Sequence, residues 1–234
     1  MKLDLFKLPL LKGEISLPEK IDELLAEETG AHIGDGTMNF YKNRDKLKGS
    51  YALRGHLIDD KPYYTKLIAT LYPKLYDLNP SLRDMPSTGV HGFQKWSDDL
   101  VNFKHKILGL PLGRKLNIQI PSLFLTKEDH IRSVIRGIFD TDGMLYLQPK
   151  YGGLYPRIEI GTTSPPLALQ LNSLLKELNM RSTCYLSKRE NKPTWLPLYR
   201  ISVRGVPMMH KWFDLIEPHN PKHLSKYQYY HDHS

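Results

Sequence analysis

The sequence predicts an α+β protein made of two pseudo-symmetric halves, each with the element order αββαββα and an antiparallel sheet. One observation is a repeated segment that ends in Asp-Gly, ETGAHIGDG at residues 28–36 and IRGIFDTDG at residues 135–143, at a spacing of 107 residues. Another is that the same order of strand-like and helix-like stretches follows each copy. Strands that pair as hairpins beside helices are typical of α+β folds.

Each copy of the repeat forms the end of a predicted helix, and local patterns predict the elements that follow it. After the first copy, β-branched and aromatic stretches predict strands at 37–41 and 50–58, and apolar residues at helical spacing predict a helix at 62–78. Weaker strand patterns at 82–87 and 90–96 come next. A short helix over 98–109 completes the first half.

The second copy is followed by the same series, with strands at 144–148 and 155–163, a helix at 165–179, strands at 182–188 and 197–205, and a helix at 207–217. Pro165 and Pro166 stand at the start of the first of these helices, where their missing N–H groups cost nothing. We therefore divide the chain into an N-terminal arm at 1–17, a first half at 18–121 and a second half at 122–234.

Small residues recur every four positions along both repeated helices. They are Ala26, Gly30 and Gly34 in the first copy and Ser133, Gly137 and Thr141 in the second. A spacing of four places each set along one face of its helix. Because glycine inside a helix costs about 1 kcal/mol relative to alanine, glycines at the same repeat position indicate a close approach of the two helices.

The last acids of the two repeats, Asp35 and Asp142, occupy equivalent positions. If the helices pack face to face about a pseudo-twofold axis, their C-terminal ends meet and these carboxylates lie side by side. Neighbouring carboxylates repel each other unless a cation lies between them, and helix C-termini also favour cations. Oxygen ligands of this kind suit Mg²⁺ or a similar ion, so the repeat predicts a shared divalent-metal site.

The composition indicates the class of binding partner and the cellular compartment of the protein. Lys and Arg number 33 against 25 Asp and Glu, and the net charge of +8 suits a polyanion such as nucleic acid or an anionic membrane surface. The single cysteine, Cys184, excludes an internal disulfide and a cysteine-rich zinc cluster. Lysines interrupt the N-terminal apolar stretch, and no apolar run approaches the about 18 residues of a membrane span. We therefore expect an intracellular protein without a signal peptide or a membrane segment.

IRGIFDTDG resembles the LAGLIDADG motif of homing endonucleases, with Gly137, Asp140, Asp142 and Gly143 in register. ETGAHIGDG is similar to the degenerate motif of single-chain members, in which the first acid is missing. The likeness extends from about residue 18 over the rest of the chain. It implies a monomer in which two curved antiparallel sheets form a DNA-binding saddle and the two motif helices pack at the central interface.

The resemblance also implies an activity. Members are site-specific double-strand DNA endonucleases, free-standing or intron-encoded, that hydrolyse both strands at a long asymmetric target and leave short 3′ overhangs. Mg²⁺ would be the cofactor, Mn²⁺ would substitute for it, and Ca²⁺ would bind without supporting cleavage. Double-stranded DNA would be the partner, and no protein partner would be obligatory. Glu28, His32 and Arg136 depart from the apolar character that the family's motif helices have at these positions.

In the family, the acid just before the final glycine binds the catalytic metals, and this role falls on Asp35 and Asp142. The backbone carbonyls of Gly34 and Thr141 are implied as further metal ligands. Asp140 stands where the family has its other acid, which usually makes structural contacts. The resemblance therefore separates the two acids of the DxDG stretch and assigns only the second to the metal.

The family also places a basic residue near the scissile phosphate in each half. Lys115 and Lys222 stand at matched positions after the last predicted helix of each half, with Arg114 and Lys226 as their alternatives. The resemblance therefore implies four catalytic residues, two acids and two lysines.

Alternation along the predicted strands leaves one polar face of each sheet free to meet DNA, because successive side chains face opposite sides. Apolar residues such as Leu186 are expected to face the helices. The polar set is rich in Arg, Asn, Gln, Tyr and Ser, which can contact base edges in the major groove. The predicted DNA-binding residues are Asn39, Tyr41, Arg54 and His56 in the first half and Tyr146, Gln148, Lys150, Arg157, Glu159, Tyr185, Ser187, Arg189, Arg200, Ser202 and Arg204 in the second.

Other interpretations of the DxDG stretch fit less well. Phosphatases of the haloacid-dehalogenase type need a continuous apolar strand before the acids and a Thr after the glycine, whereas Arg136 and Gly137 interrupt the run and Met144 follows it. An EF-hand loop needs further acids at alternate positions and a later Glu. The sequence lacks the splicing junctions that an intein would carry. An RNA maturase and a catalytically inactive DNA-binding regulator of the same fold remain open, and the presence of both Asp35 and Asp142 favours the enzyme.

Overall fold

A computed structural model describes residues 2–4, 12–43, 46–150, 152–187 and 195–233 of the chain. The first half contains helix α1 (Glu23–Asp35), strands β1 (Gly36–Asn43) and β2 (Lys46–His56), helices α2 (Lys61–Tyr63) and α3 (Ala69–Tyr76), strands β3 (Arg83–Met85) and β4 (Val90–Trp96), and helix α4 (Asp98–Asn102). A π-helical turn, Tyr64–Ile68, joins α2 to α3, and a second one, Phe103–Ile107, continues α4.

The second half repeats this order. It contains helix α5 (Glu128–Asp142), strands β5 (Gly143–Lys150) and β6 (Gly153–Thr162), helix α6 (Pro165–Glu177), strands β7 (Ser182–Ser187) and β8 (Leu198–Arg204), helix α7 (Val206–Ile216) and helix α8 (Pro221–His233). The sequence did not predict α8. Among the described side chains of this helix only His223 and Tyr230 are buried, so it lacks the apolar stripe by which helices are recognised.

Within the described ranges the strands form two four-stranded antiparallel sheets with the same topology. The orders are β1-β2-β4-β3 and β5-β6-β8-β7, so the second hairpin of each half adds to the sheet through its later strand. The predicted α+β class and the αββαββα order of each half are confirmed. None of the helices in these ranges combines the length and the apolar character that a bilayer crossing requires.

Helices α1 and α5 pack against each other at the junction of the halves, and two glycines make their close contact possible. A Cβ atom built on Gly30 would lie 2.2 Å from the carbonyl oxygen of Val134, and one on Gly137 would lie 2.1 Å from the carbonyl oxygen of Glu27. No side chain fits in such a gap. The motif helices therefore pack backbone to backbone at the central interface, as the family resemblance implies.

Residues 12–17 of the N-terminal arm lie against the first half. The backbone N–H groups of Lys12 and Glu14 donate to the carboxylate of Asp99 in α4, and the N–H of Ser16 donates to the carbonyl of Tyr76 in α3. This part of the arm is thus tied to α3 and α4 of the first half.

Candidate active site

Asp35 and Asp142 lie close together at the C-terminal ends of α1 and α5. Because the helices approach along their small residues, their last turns meet, and a Cβ atom built on Gly34 would lie 3.5 Å from the carboxyl carbon of Asp142. The hydroxyl of Tyr64 donates a hydrogen bond of 2.9 Å to the Asp35 carboxylate. The structure thus brings together the two acids that are equivalent in the sequence repeat.

The two carboxyl groups share an environment that disfavours negative charge. Burial, with the negative charges of Asp142 and Asp60, raises the pKa of Asp35 to about 8. Asp142 is exposed at the wall of a cleft, yet the protein atoms around its carboxyl group raise its pKa, and Lys115 and Lys222 offset only part of this rise. The protein's own groups therefore do not balance the charge of the two acids.

This arrangement fits a hard divalent cation. Asp35 and Asp142 offer anionic oxygens from two directions, which are the ligands that Mg²⁺ and similar ions prefer. A cation held by both carboxylates would relieve their mutual repulsion, and it would also interact favourably with the two helix C-termini. The described residues at the junction of α1 and α5 therefore suit a metal site.

Lys115 and Lys222 bind the C-terminal ends of the two helices. The ammonium group of Lys115 donates to the carbonyls of Ile33 and Gly34 at 2.8 and 2.5 Å, and that of Lys222 donates to the carbonyl of Thr141 at 3.3 Å. Cations are favourable there because the last carbonyls of a helix carry partial negative charge. The carbonyls predicted as further metal ligands, those of Gly34 and Thr141, accept hydrogen bonds from the lysines in this structure.

The two lysines are as symmetric in the sequence as the two acids. Lys115 and Lys222 are separated by 107 residues, the spacing that also separates Asp35 from Asp142. Burial lowers the pKa of Lys115, and the nearby charges of Asp142 and Asp35 counteract the shift. Each half therefore contributes one acid and one lysine to the site at the C-terminal ends of α1 and α5.

Asp60 is a candidate site residue that the sequence did not predict. It lies between β2 and α2 in the first half and is buried, with an exposed fraction of 4%. Its carboxylate accepts hydrogen bonds from the N–H of His56 at 2.8 Å, from the side-chain amide of Asn220 at 2.9 Å and from Lys222 at 2.7 Å. The only signal in the sequence is an acid just before a predicted helix, and that signal normally indicates a helix cap.

Asp140 has a structural role, as the resemblance implied. Its buried carboxylate accepts hydrogen bonds from the backbone N–H groups of His219 and Asn220 at 2.9 and 3.1 Å. Burial raises its pKa to about 7, although these two hydrogen bonds counteract the shift. Asp140 thus fixes the segment between α7 and α8, which directly precedes Lys222 at the start of α8.

A cleft of about 490 Å³ opens beside the C-terminal end of α5. It is lined by residues of both halves, among them His56, Asp60, Thr141, Asp142, Tyr146, Arg200, Lys222 and Lys226. The alternative lysine, Lys226, therefore faces the same cleft as Lys222. The alternative arginine, Arg114, instead lines a separate groove over the first sheet with Asn39, Tyr41 and Arg54.

The open face of the second sheet carries a cluster of charged side chains. Glu159 accepts hydrogen bonds from the hydroxyl of Tyr185 at 2.7 Å and from Arg200 at 2.8 Å, and it pairs with Arg157 at 3.4 Å. Arg157 also lies over the ring of Tyr146, 4.9 Å from its centroid. The predicted alternation of the strands is therefore observed for the members of this cluster.

Three expectations for this sheet need correction. Glu159 and Ser202 lie on the predicted face, but with exposed fractions of 3% and 1% they are covered rather than free to meet DNA. Arg157, Arg200 and Tyr185 close over Glu159, and Ser202 accepts a hydrogen bond from Arg204. Leu186, expected to face the helices, is 53% exposed because β7 is an edge strand.

The remaining predicted contacts of the second half lie at the surface. Gln148, Lys150 and Arg204 are exposed, Ser187 is half-buried, and Arg189 lies outside the described residues. Lys150 packs over the ring of Tyr155, with its ammonium group 5.1 Å from the centroid. Gln148, Lys150, Ser187 and Arg204 therefore belong to the same sheet as the Glu159 cluster.

On the open face of the first sheet, Arg54 and Tyr41 lie on the same side as the cations Lys46, Lys48 and Arg83. Arg54 donates to the side chain of Gln94 at 2.9 Å, and Gln94 donates to Ser50 at 2.8 Å. The ring of Tyr41 meets that of Trp96 edge to face, with centroids 6.0 Å apart. The sequence predicted Asn39, Tyr41, Arg54 and His56 here but missed the β4 residues, although the alternation of VHGFQKW could have indicated them.

Comparison with known proteins identifies the fold. A sequence model of the LAGLIDADG-like domain matches residues 129–207. A crystal structure of I-DmoI in complex with DNA and Ca has a TM-score of 0.62 at 14% identity, over 88% of this chain and 97% of that chain. The LAGLIDADG meganuclease I-AabMI bound to uncleaved DNA has a TM-score of 0.54 at 12% identity, over 91% and 90%. No curated protein sequence matches the chain.

The chain has the LAGLIDADG fold. The stretch matched by the sequence model begins within α5 and ends at the start of α7, so it is the second half that carries the recognisable LAGLIDADG motif. The homing endonuclease I-GzeII in complex with its DNA target also shares the fold, with a TM-score of 0.53 at 10% identity over 91% of this chain and 88% of that chain. The first half repeats the fold, but the match of the sequence model does not extend to it.

Two of the three polar departures on the motif helices, Glu28 and Arg136, have charged partners, whereas the ring nitrogens of the buried His32 have no hydrogen-bond partner among the described residues. Glu28 is fully buried and accepts two hydrogen bonds of 2.6 Å from Lys104, which is buried as well. Arg136 donates to the carbonyl of Ile216 at 2.7 Å and pairs with Glu27 at 3.4 Å. A buried charge is tolerated only when it is paired in this way, so the charges of Glu28 and Arg136 are compatible with the packing of α1 against α5.

Proposed function

We propose that this LAGLIDADG protein is a site-specific endonuclease that cuts both strands of double-stranded DNA with a divalent metal as its cofactor. The observation that carries the proposal is the pairing of Asp35 with Asp142, at a junction flanked by two sheets with polar and basic open faces. The solved I-DmoI and I-AabMI complexes, which share the fold, contain DNA. The net charge of +8 agrees with such a partner.

The site offers what phosphodiester hydrolysis needs. A bound divalent metal activates water and stabilises the charge that develops on phosphate oxygens, and Asp35 and Asp142 would hold it. Lys115 and Lys222, one from each half, would bind the phosphates beside the acids and neutralise their charge. We expect Mg²⁺ as the cofactor, Mn²⁺ as a substitute and Ca²⁺ as an ion that binds without supporting cleavage. I-DmoI structures with DNA and Ca or Mn support a divalent ion.

The pseudo-symmetry supports separate roles for the two halves of the chain, one for each half of the DNA target. The halves at 18–121 and 122–234 would each bind one half of a long asymmetric DNA target, and the arm at 1–17 would remain outside the repeat. One acid and one lysine from each half match two strands related by the twofold axis of DNA. Cleavage of both strands across the minor groove would leave short 3′ overhangs.

The test begins with the DNA that the protein selects. Duplexes from a randomised library are recovered by binding in Ca²⁺ and sequenced, and the selected duplex is then incubated with Mg²⁺. We expect cleavage of both strands by the wild type, and loss of at least about 100-fold in rate for Asp142→Asn and Asp35→Asn, because lost metal contacts cost several kcal/mol. Asp77→Asn, an exposed change at the end of α3, should cut like the wild type.

The other outcomes discriminate between the members of this fold. Tight, selective DNA binding without cleavage in any of Mg²⁺, Mn²⁺ and Ca²⁺ would contradict the proposal and indicate a DNA-binding regulator. Selective binding of structured RNA with acceleration of intron splicing would indicate a maturase. Cleavage that survives in Asp142→Asn would show that the acids do not form the catalytic site.

A further inference from the structure

An ion pair links the two halves at the site. Asp60, from the first half, accepts a hydrogen bond of 2.7 Å from Lys222 of the second half. The side-chain amide of Asn220 donates to the same carboxylate oxygen of Asp60 and also to the carbonyl of Asp140. Lys222 is therefore held by a residue that its own half does not supply.

Lys115 lacks this support. In the part of the chain that the structure describes, it forms no ion pair and donates to the carbonyls at the end of α1. The residue that precedes α6 in the second half, and so corresponds to Asp60, is the neutral Ser164. Its hydroxyl donates to the carbonyl of Ile118 at 2.8 Å and does not reach Lys115. The two lysines occupy equivalent places with different partners.

The contacts of Asp60 indicate that it acts through Lys222. Its buried carboxylate is already engaged by the N–H of His56 and by Asn220, so it is a fixed acceptor rather than a group exposed to a substrate. Lysine has a long, flexible side chain whose rotamer freedom is costly to lose. An acid that pre-orders Lys222 removes this cost before DNA binds, and correct placement of a reacting group is worth large factors in rate.

We propose that Asp60 is a positioning residue that holds Lys222 beside Asp142, so that the first half supports cleavage of the DNA strand that Lys222 serves. The proposal rests on the endonuclease function proposed above and adds an asymmetry to it. One of the two cleavage events depends on a contact between the halves, and the other, served by Lys115, does not.

The test resolves the two strands. The selected duplex is labelled on one strand or on the other, and single-turnover rates are measured for each in Mg²⁺. We expect Asp60→Asn to slow one strand by about 10-fold to 100-fold, the range for a misplaced catalytic group, and to leave the other within about twofold. Lys222→Ala should slow the same strand, and Lys115→Ala mainly the other. Asp77→Asn is the matched control for the change of acid to amide.

Two further measurements separate positioning from a general structural effect. In a Lys222→Ala background, Asp60→Asn should cause no additional slowing. In chelator, without metal or DNA, the melting temperatures of the two single variants and the double variant should be non-additive, as expected for residues in contact. Asp60→Ser, which introduces the residue of the second half, should reproduce the loss on one strand if Asp60→Asn folds poorly.

The outcomes that overturn the proposal are distinct from those that overturn the endonuclease function. If the wild type cuts both strands and Asp60→Asn slows both alike, Asp60 belongs to the shared metal site or to the fold, and the positioning role is wrong. Additional slowing of Lys222→Ala by Asp60→Asn would have the same meaning. If the wild type cuts neither strand, the endonuclease function fails and the role of Asp60 fails with it.

Discussion

Asp35 is half-buried beside two other acids, Asp142 and Asp60, and these surroundings raise its pKa to about 8. Near neutral pH its carboxyl group therefore holds a proton in the metal-free protein. A divalent cation at the site has to displace this proton, so metal binding should become tighter as the pH rises towards 8. The carboxyl group of Asp35 is thus neutral in the metal-free protein and becomes negatively charged when a cation binds.

The same shift predicts how Asp35 affects stability. Its pKa is higher in the folded chain than its ordinary value of 3.8, so the folded state binds the proton more tightly and Asp35 costs stability as the pH rises from about 4 to 8. In chelator at pH 8, Asp35→Asn should stabilise the protein by about 1–3 kcal/mol. The gain should shrink towards pH 5.

Thermal unfolding in chelator at pH 5 and pH 8 measures this difference. Asp77→Asn, which changes an exposed acid in the same half, should show no pH-dependent gain. An Asp35→Asn gain that is equal at both pH values would contradict the argument, since a group with an ordinary pKa is ionised in both states at both pH values.

The residues of the site differ in how far the sequence could reveal them. Asp35 and Asp142 follow from the repeat, and Lys115 and Lys222 from their matched positions after it. Asp60 and Asn220 could not be predicted, because their contact spans 160 residues and no local pattern encodes a pairing between halves. The sequence also could not predict that Glu159 is buried, because its burial depends on which arginines of the neighbouring strands lie next to it.

At the scale of elements, the contact of α1 with α5 sets the geometry of the site. The small residues at Gly30 and Gly137 leave no space for a side chain, and this contact fixes the distance between the helix ends that carry the acids. The sequence predicted it because glycines at equivalent helix positions are costly without such a role. It could not predict α8, whose exposed aromatic and basic residues do not follow a helical apolar pattern.

Gly137→Ala should therefore be destabilising despite the better helix propensity of alanine. A Cβ atom there would lie 2.1 Å from the carbonyl oxygen of Glu27 and 2.6 Å from the backbone nitrogen of Ala31. Overpacking typically costs 1–3 kcal/mol and more against rigid backbone, and alanine regains about 1 kcal/mol, so we expect a net loss of about 2 kcal/mol in denaturant unfolding.

Gly153→Ala is the matched control, since a Cβ atom at Gly153 would meet no atom within 4 Å. It should change the free energy of unfolding by less than about 0.5 kcal/mol. If Gly137→Ala proved as stable as the wild type, α1 and α5 would have to lie further apart, and the acids would not share a site.

At the scale of the whole molecule, the two sheets repeat a topology but present different chemistry. The open face of the first sheet carries two lysines and two arginines, Lys46, Lys48, Arg54 and Arg83, whereas that of the second carries three arginines around an acid, Arg157, Arg200 and Arg204 around Glu159. Arginine makes the bidentate contacts that distinguish guanine from other bases. Two unlike faces on one chain match a DNA target whose halves are unlike, and the ion pair of Asp60 with Lys222 extends this asymmetry to the catalytic residues.

The net charge of +8 predicts that binding to the selected duplex weakens with salt, because neutralised phosphates release their counterions. Arg204 is exposed on the open face of the second sheet, where its Nε donates to Ser202. If Arg204 contacts a base, Arg204→Ala should cost about 1–3 kcal/mol in affinity, relax the base preference of one half of the target and leave the salt slope in place. A phosphate contact would instead lower the slope by about one with no change of preference. Titrations in Ca²⁺ across several salt concentrations distinguish the two contacts.

Lys74→Ala is the charge-matched control, because it removes an exposed lysine on helix α3 of the first half. It should alter neither the base preference nor the salt slope. Equal effects of Lys74→Ala and Arg204→Ala would mean that the open face of the second sheet is not the DNA-binding surface.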